Sequence, residues 1–137
     1  TLVPLLLRLG LAEAWCGLIV DMQHVSAASL KVAIAARGWQ RMTLVTDAMP
    51  TVGSAESEFT LLGRTVRRRD GALKTDDGTL AGSDLDMASA VRNTVSALGL
   101  PLEAALAMAS RAPASSIWPR SAQACNPAAS ATRRAGP

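Results

Sequence analysis

Two aspartates and the single histidine of the chain follow apolar runs that are typical of buried strands. Residues 17–21 end at Asp21, with His24 three positions later, and residues 42–47 end at Asp47. Carboxylate and imidazole groups are the side chains that most often transfer protons in enzymes. Acid–base chemistry is therefore available if the fold brings them together; a turn-capping aspartate and a packed histidine are the alternatives.

A strand, a helix and a second strand are the elements that would position these groups. Both apolar runs are predicted to be buried strands. The helix between them is predicted to start after Ser26, which can cap it, and to close near Gly38. In an α/β barrel the carboxyl ends of parallel strands surround the active site, so we expect all three polar side chains on one face.

A strand-rich segment is predicted for residues 58–80. Gly63, Asp70–Gly71 and Asp77–Gly78 mark the turns, and Asp-Gly pairs are strong hairpin signals.

Two helices are predicted after the strand-rich segment. Ser83 or Asp84 is predicted to cap the first helix, which runs to about Gly99. Pro101 is a favourable first-turn residue for the second, which runs toward Ser110.

The last part of the chain differs in composition from the rest. Residues 121–137 are rich in Ala, Ser, Arg and Pro and show neither a strand period nor a helical one. We therefore expect one structural unit over residues 1–120 and an irregular tail over residues 121–137.

Composition excludes several classes of function. The net charge is +3, and the densest basic run, residues 67–69, has no interleaved aromatic residues, so a solvated hairpin or loop is favoured over a nucleic-acid patch. Cys16 and Cys125 belong to no CxxC or Cys/His cluster. The opening apolar run, residues 2–7, falls well short of the ~20 residues of a membrane span. We expect a cytoplasmic protein with reduced thiols.

Three motifs follow one another along the chain: GLIVD with the following His24-Val25, LVTDAMP at residues 44–50 and GTLAGS at residues 78–83. In order and spacing they resemble those of the N-acetylglucosamine-6-phosphate deacetylases of the amidohydrolase superfamily. The similarity covers roughly residues 15–116. It implies an α/β fold that is the C-terminal portion of a metal-dependent amidohydrolase (β/α)8 TIM barrel, incomplete in this chain.

The resemblance also implies an activity: hydrolysis of the acetamide of N-acetylglucosamine 6-phosphate to glucosamine 6-phosphate and acetate. Asp47 matches the catalytic aspartate, which takes a proton from a metal-bound water and returns it to the amine. His24 matches a histidine that polarises the acetamide carbonyl. The other residues matched to substrate binding are Asp21, Met22, Gln23, Leu80, Ala81 and Gly82; for the last three, a simple turn before a helix is the alternative.

One departure from the family pattern lies inside the site. Met22 stands where the family usually has glycine, and its side chain would crowd the backbone or reshape the pocket if the local conformation needs a glycine.

The larger departure concerns the ligands of the family's divalent metal, zinc or similar. The resemblance places its ligands, a Glu and two His, on earlier strands, and no metal ligand is assigned in this chain. A hydrolytic metal needs about three protein ligands, so the isolated chain is expected to be inactive. The alternative is a non-catalytic truncated or degenerate fragment that acts at most as an association module.

The implied partners follow from the same resemblance. We expect an amino-sugar phosphate substrate, no nucleic acid and no membrane, and homo-oligomers for the full-length family.

Overall fold

The structure, a computed structural model, describes residues 14–117. In chain order its elements are β1 (Cys16–Leu18), α1 (Ala27–Arg37), a 3₁₀ turn (Trp39–Arg41), β2 (Met42–Leu44), β3 (Glu58–Leu61), β4 (Arg64–Arg69), β5 (Ala72–Thr75), α2 (Met87–Ser96), α3 (Leu102–Ala109) and α4 (Arg111–Ile117). The expected tail, residues 121–137, lies outside the described residues.

The strand–helix–strand unit is confirmed, with shorter strands than the sequence predicted. β1 and β2 pair in parallel, with Leu18 opposite Leu44, and the Val45 amide donates to the Leu18 carbonyl at 3.0 Å. Beyond this point each chain segment turns into a loop. Because the strands are parallel, both loops leave the same edge of the sheet.

The predicted ends of α1 are also confirmed. The Ser26 hydroxyl accepts from the Ser29 amide at 3.2 Å, which satisfies one of the free amides of the first turn. At the other end Gly38 has a φ of +83° and its amide donates to the Ile34 carbonyl at 2.7 Å.

The strand-rich segment forms an antiparallel sheet in the order β3–β4–β5. Both turns have two central residues with positive φ: Leu62 and Gly63 at +50° and +77°, and Asp70 and Gly71 at +53° and +73°. Such turns match the twist of the strands they join. The segment then returns along β5, where Leu80 pairs with Lys74 in an antiparallel bridge.

The predicted cap of the next helix is wrong. α2 begins at Met87, and Asp86 is the cap, accepting from the Ser89 amide at 2.8 Å. Ser83 and Asp84 cannot serve because their side chains bond to other loops, as described below. The sequence also did not predict α4, whose Pro113 lies in the first turn, where proline is tolerated.

An apolar cluster holds the parallel strands against the helices. Its buried members are Leu18, Val20, Leu30, Met42, Leu44, Leu85, Ala90, Leu98 and Met108. The cluster fixes the strands whose ends carry the polar loops. Among the described residues, no helix combines the length and apolar character needed to cross a membrane.

Candidate active site

The turn after β1 is organised around the Asp21 carboxylate. Its Oδ1 accepts from the backbone amides of Gln23 at 2.9 Å and His24 at 3.0 Å, and Oδ2 lies 2.6 Å from His24 Nδ1. Because an ionised carboxylate only accepts, Nδ1 carries a proton and Nε2 is left for another partner. Asp21 therefore fixes both the turn and the His24 ring.

Two opposing effects act on the pKa of Asp21. Burial raises the pKa of its carboxyl, but the hydrogen bonds from the His24 amide, the His24 ring and the Gln23 amide together outweigh it. The net pKa of Asp21 lies below its ordinary value, so the carboxylate is the form that the turn stabilises.

Met22 occupies a backbone conformation that favours glycine. Its φ is +63°, in the left-handed region, where a Cβ crowds the following carbonyl. The same side chain packs, partly buried, against the apolar cluster. The left-handed φ is a local reason why a glycine would suit this position. The strain at Met22 destabilises the fold, whereas the packing of its side chain stabilises it.

We expect Met22→Gly to be more stable than Met22→Ala by about 1 kcal/mol, because both lose the packing but only alanine keeps the Cβ strain. Urea unfolding of the two variants measures the difference. Ala28, exposed in α1, is the matched control: there Ala28→Gly should be less stable than the parent by about 1 kcal/mol. Equal stability of the two Met22 variants would contradict strain at this position.

The loop after β2 presents Asp47. Asp47 is exposed and has a φ of +52°, an uncommon conformation that persists only where the surroundings fix it. Its carbonyl accepts from the Ser83 amide at 2.8 Å, and the Met49 amide donates to the Ser83 carbonyl at 3.1 Å. The backbone around Asp47 is therefore fixed while its side chain remains accessible.

The predicted substrate loop, residues 80–82, lies directly beside this segment. The Ala81 amide donates to the Leu73 carbonyl of β5 at 3.0 Å. Gly82 has a φ of +78°, and a Cβ added there would lie 2.3 Å from Met49 Cγ and 3.3 Å from the Asp47 carbonyl oxygen. The glycine permits this close approach, so the substrate loop and the Asp47 loop form one unit.

The Asp21–His24 turn lies near the antiparallel sheet of β3, β4 and β5, called the hairpin sheet below. A Cβ added to Gly71 would be 3.9 Å from Gln23 Nε2. Within residues 14–117, no hydrogen bond or ion pair joins Asp47 to Asp21 or His24. The two loops share the sheet edge from which they leave, without direct bonding between their functional groups.

Asn93 contacts the candidate site in a way that the sequence did not predict. From α2 its Nδ2 donates to the Val20 carbonyl at 2.8 Å, directly before Asp21. Asn93 lies in a stretch that resembles a family helix, but nothing in the sequence pairs it with a carbonyl 73 positions away.

Arg68 lies in the predicted hairpin, but its side chain is only 32% exposed. Its Nε lies 2.6 Å from Asp84 Oδ2, and its Nη2 donates to Asp84 Oδ1 at 3.1 Å and to the Thr51 carbonyl at 2.5 Å. The buried Thr51 hydroxyl donates to Asp84 Oδ1 at 3.0 Å. Arg68 therefore ties the hairpin sheet to the segments that follow Asp47 and Ser83.

This arrangement defines a class of protein. A parallel strand pair joined by a helix, with a carboxylate and a histidine in the loops beyond its carboxyl ends, is a βαβ unit of the α/β class, in which functional sites lie at this end of the strands.

Comparisons with known proteins are more specific. The N-acetylgalactosamine-6-phosphate deacetylase of Shewanella sp. (strain ANA-3) is 46% identical over 105 residues, which are 77% of this chain and 27% of the relative. A relative in Escherichia coli (strain K12) is 37% identical over 113 residues, 81% of this chain and 67% of the relative. The N-acetylglucosamine-6-phosphate deacetylase of Vibrio furnissii is 39% identical over 110 residues, 79% of this chain and 27% of the relative. No family model matches the chain.

Solved structures agree. The N-acetylglucosamine-6-phosphate deacetylase of Pasteurella multocida gives a TM-score of 0.73 at 32% identity, over 78% of this chain and 28% of that one. The N-acetyl-D-glucosamine-6-phosphate deacetylase of Mycobacterium smegmatis gives a TM-score of 0.68 at 29% identity, over 77% of this chain and 29% of that one. The chain belongs to the N-acetylglucosamine- and N-acetylgalactosamine-6-phosphate deacetylase family, as its motifs predicted. It spans about 27% of the length of the Shewanella and Vibrio relatives.

Proposed function

We propose that this chain supplies the acid–base residue and the substrate-binding loops for hydrolysis of the acetamide of N-acetylglucosamine 6-phosphate, which gives glucosamine 6-phosphate and acetate. The observation that carries the proposal is Asp47, exposed beyond the end of β2 on a backbone fixed by the substrate loop. The substrate follows from the names of the Vibrio and Pasteurella relatives.

Asp47 is assigned both proton transfers. Its carboxylate takes a proton from the water that attacks the acetamide carbon, and it then gives a proton to the departing nitrogen. An accessible side chain on a fixed backbone suits this role, because proton transfer needs a constant distance to both partners.

His24 is assigned to the acetamide oxygen. With Nδ1 donating to Asp21, Nε2 is the nitrogen that can face the substrate. Nε2 donates when the ring is protonated, and the Asp21 carboxylate 2.6 Å from Nδ1 then balances the charge. Gln23, Met22 and the 80–82 loop complete the proposed substrate surface.

The divalent metal implied by the family resemblance does not fit the described residues. Within residues 14–117, no group of three His, Cys, Asp or Glu side chains could hold a metal ion. The proposal therefore assigns the metal, zinc or similar, to residues outside this part of the chain.

A second substrate, N-acetylgalactosamine 6-phosphate, is favoured by the 46% identity of the Shewanella relative, which is named for that sugar. The two sugars differ only in the configuration of one ring hydroxyl, so the acetamide chemistry is the same. The remaining parts of the proposal are a cytoplasmic location, no nucleic-acid or membrane partner, and homo-oligomers in the full-length family.

A chimera tests the proposal. The matching stretch of this chain replaces its counterpart in the Shewanella protein, and acetate release is measured with both sugar phosphates in the presence of zinc. We expect turnover by the chimera and none by the isolated chain. The Shewanella protein without the stretch is the control.

Two outcomes would contradict this expectation. Metal-stimulated acetate release by the isolated chain would show that it holds a complete site. A folded chimera that turns over neither sugar phosphate would overturn the proposed function and favour the alternative of a non-catalytic association module.

A further inference from the structure

We infer that Ser83 is a positioning residue for Asp47: its buried hydroxyl and backbone hold the catalytic loop in the conformation that Asp47 needs. The inference rests on the proposed function for its catalytic meaning. Its structural part, the holding of the loop, stands on contacts within this chain alone.

Ser83 bonds to the chain on both sides of Asp47. Its hydroxyl donates to the Thr46 carbonyl at 2.5 Å and accepts from the Leu85 amide at 2.9 Å. Its own amide donates to the Asp47 carbonyl at 2.8 Å, and its carbonyl accepts from the Met49 amide at 3.1 Å. With 1% of its surface exposed, Ser83 makes all four bonds out of reach of competing water.

These bonds act on a backbone that would otherwise relax. Asp47 has a φ of +52°, which is retained only where the surrounding structure fixes it. Ser83→Ala leaves the Thr46 carbonyl and the Leu85 amide without their hydroxyl partner, and polar groups of this kind re-pair when the backbone can move. The expected movement is at the residue before Asp47, so the carboxylate is displaced without any change in its chemistry.

Ser83 differs from Thr94, another residue with a buried hydroxyl, in what its bonds connect. Thr94, 0% exposed, donates to the Ala90 carbonyl one turn earlier in the same helix at 2.8 Å. Thr94→Ala therefore removes an equally buried hydroxyl bond without touching the Asp47 loop. Thr94→Ala is therefore the matched control for a loss of stability that does not displace Asp47.

The experiment compares Ser83→Ala and Thr94→Ala in the chimera. A misplacement of the reacting group by about 1 Å costs on the order of 10²-fold in rate. We expect Ser83→Ala to lower kcat by about that factor with KM nearly unchanged, and to speed hydrogen exchange at the Met49 amide. Thr94→Ala should leave both kcat and Met49 exchange at parent values, even where it lowers the Tm.

The outcomes separate this inference from the proposed function. If Asp47→Asn abolishes turnover while Ser83→Ala keeps parent kcat and Met49 protection, Ser83 does not position Asp47 and the proposed function stands. If Asp47→Asn keeps turnover, the proposed function fails, and the Met49 exchange rates alone decide whether Ser83 holds the loop.

Two further results bear on the inference. An equal kcat loss in Thr94→Ala would overturn it, because general destabilisation would then explain both variants. Should Ser83→Ala not fold, Ser83→Cys keeps the size with a weaker donor; a lowered kcat supports the inference and parent kcat overturns it.

Discussion

Asp47→Asn should lower kcat for acetate release by the chimera by about 10²- to 10⁴-fold, the usual cost of losing a general acid–base group. Asparagine keeps the size of the side chain and tolerates the left-handed conformation at φ +52°. The variant therefore removes proton transfer without disturbing the loop. KM should change little, because the acetamide contact is assigned to His24.

Asp70→Asn is the matched control for this variant. Asp70 is also exposed, with a φ of +53°, but lies in the turn between β4 and β5. We expect its kcat to equal that of the parent. Turnover near the parent level in Asp47→Asn would remove the central residue from the mechanism, whatever the control shows.

Local signals in the sequence predicted those features that depend on neighbouring residues. Ser26 and Gly38 mark the ends of α1 because a cap and a left-handed glycine act within one turn of the helix. The Asp70–Gly71 hairpin follows for the same reason. The apolar runs predicted strands that end at Asp21 and Asp47, whereas the strands end three residues earlier, at Leu18 and Leu44, and both carboxylates lie in the loops beyond them.

Long-range bonds explain what the sequence did not predict. Ser83 and Asp84 looked like helix caps, yet Ser83 bonds to Thr46, 37 positions earlier, and Asp84 pairs with Arg68, 16 positions earlier. With both side chains engaged, Asp86 becomes the first free capping group, and α2 begins later than predicted. No local rule distinguishes a serine that caps a helix from one that holds a distant loop.

The hairpin sheet also contacts the loops around Ser83. Its β4 strand supplies Arg68, which contacts the Thr51 carbonyl and the Asp84 carboxylate, while β5 pairs with the start of the substrate loop. The sheet is thus attached to the segments on both sides of the Ser83 contacts. The basic run was predicted to be a solvated hairpin or loop; it lies in a hairpin, and its Arg68 also contacts the segments beside the proposed site.

Gly82→Ala should destabilise the fold by about 1–3 kcal/mol more than Gly78→Ala, the range expected for overpacking. Both glycines have a left-handed φ, +78° and +85°, so both substitutions place a Cβ on a backbone that favours glycine. A Cβ on Gly78 meets nothing within 4 Å, whereas one on Gly82 meets Met49 Cγ at 2.3 Å and Sδ at 2.7 Å. The packing around Met49 therefore distinguishes the two variants, and urea unfolding reports the difference.

A second substitution identifies the contact responsible. In Met49→Ala/Gly82→Ala the clashing sulfur and methylene are gone, so the double variant should be more stable than the sum of the two single losses predicts. Only the 3.3 Å approach to the Asp47 carbonyl oxygen would remain, and a shift of a few tenths of an ångström accommodates it. Additive losses would mean that Met49 moves aside without cost in Gly82→Ala, and that the loops carrying Asp47 and the substrate contacts are not held together through this side chain.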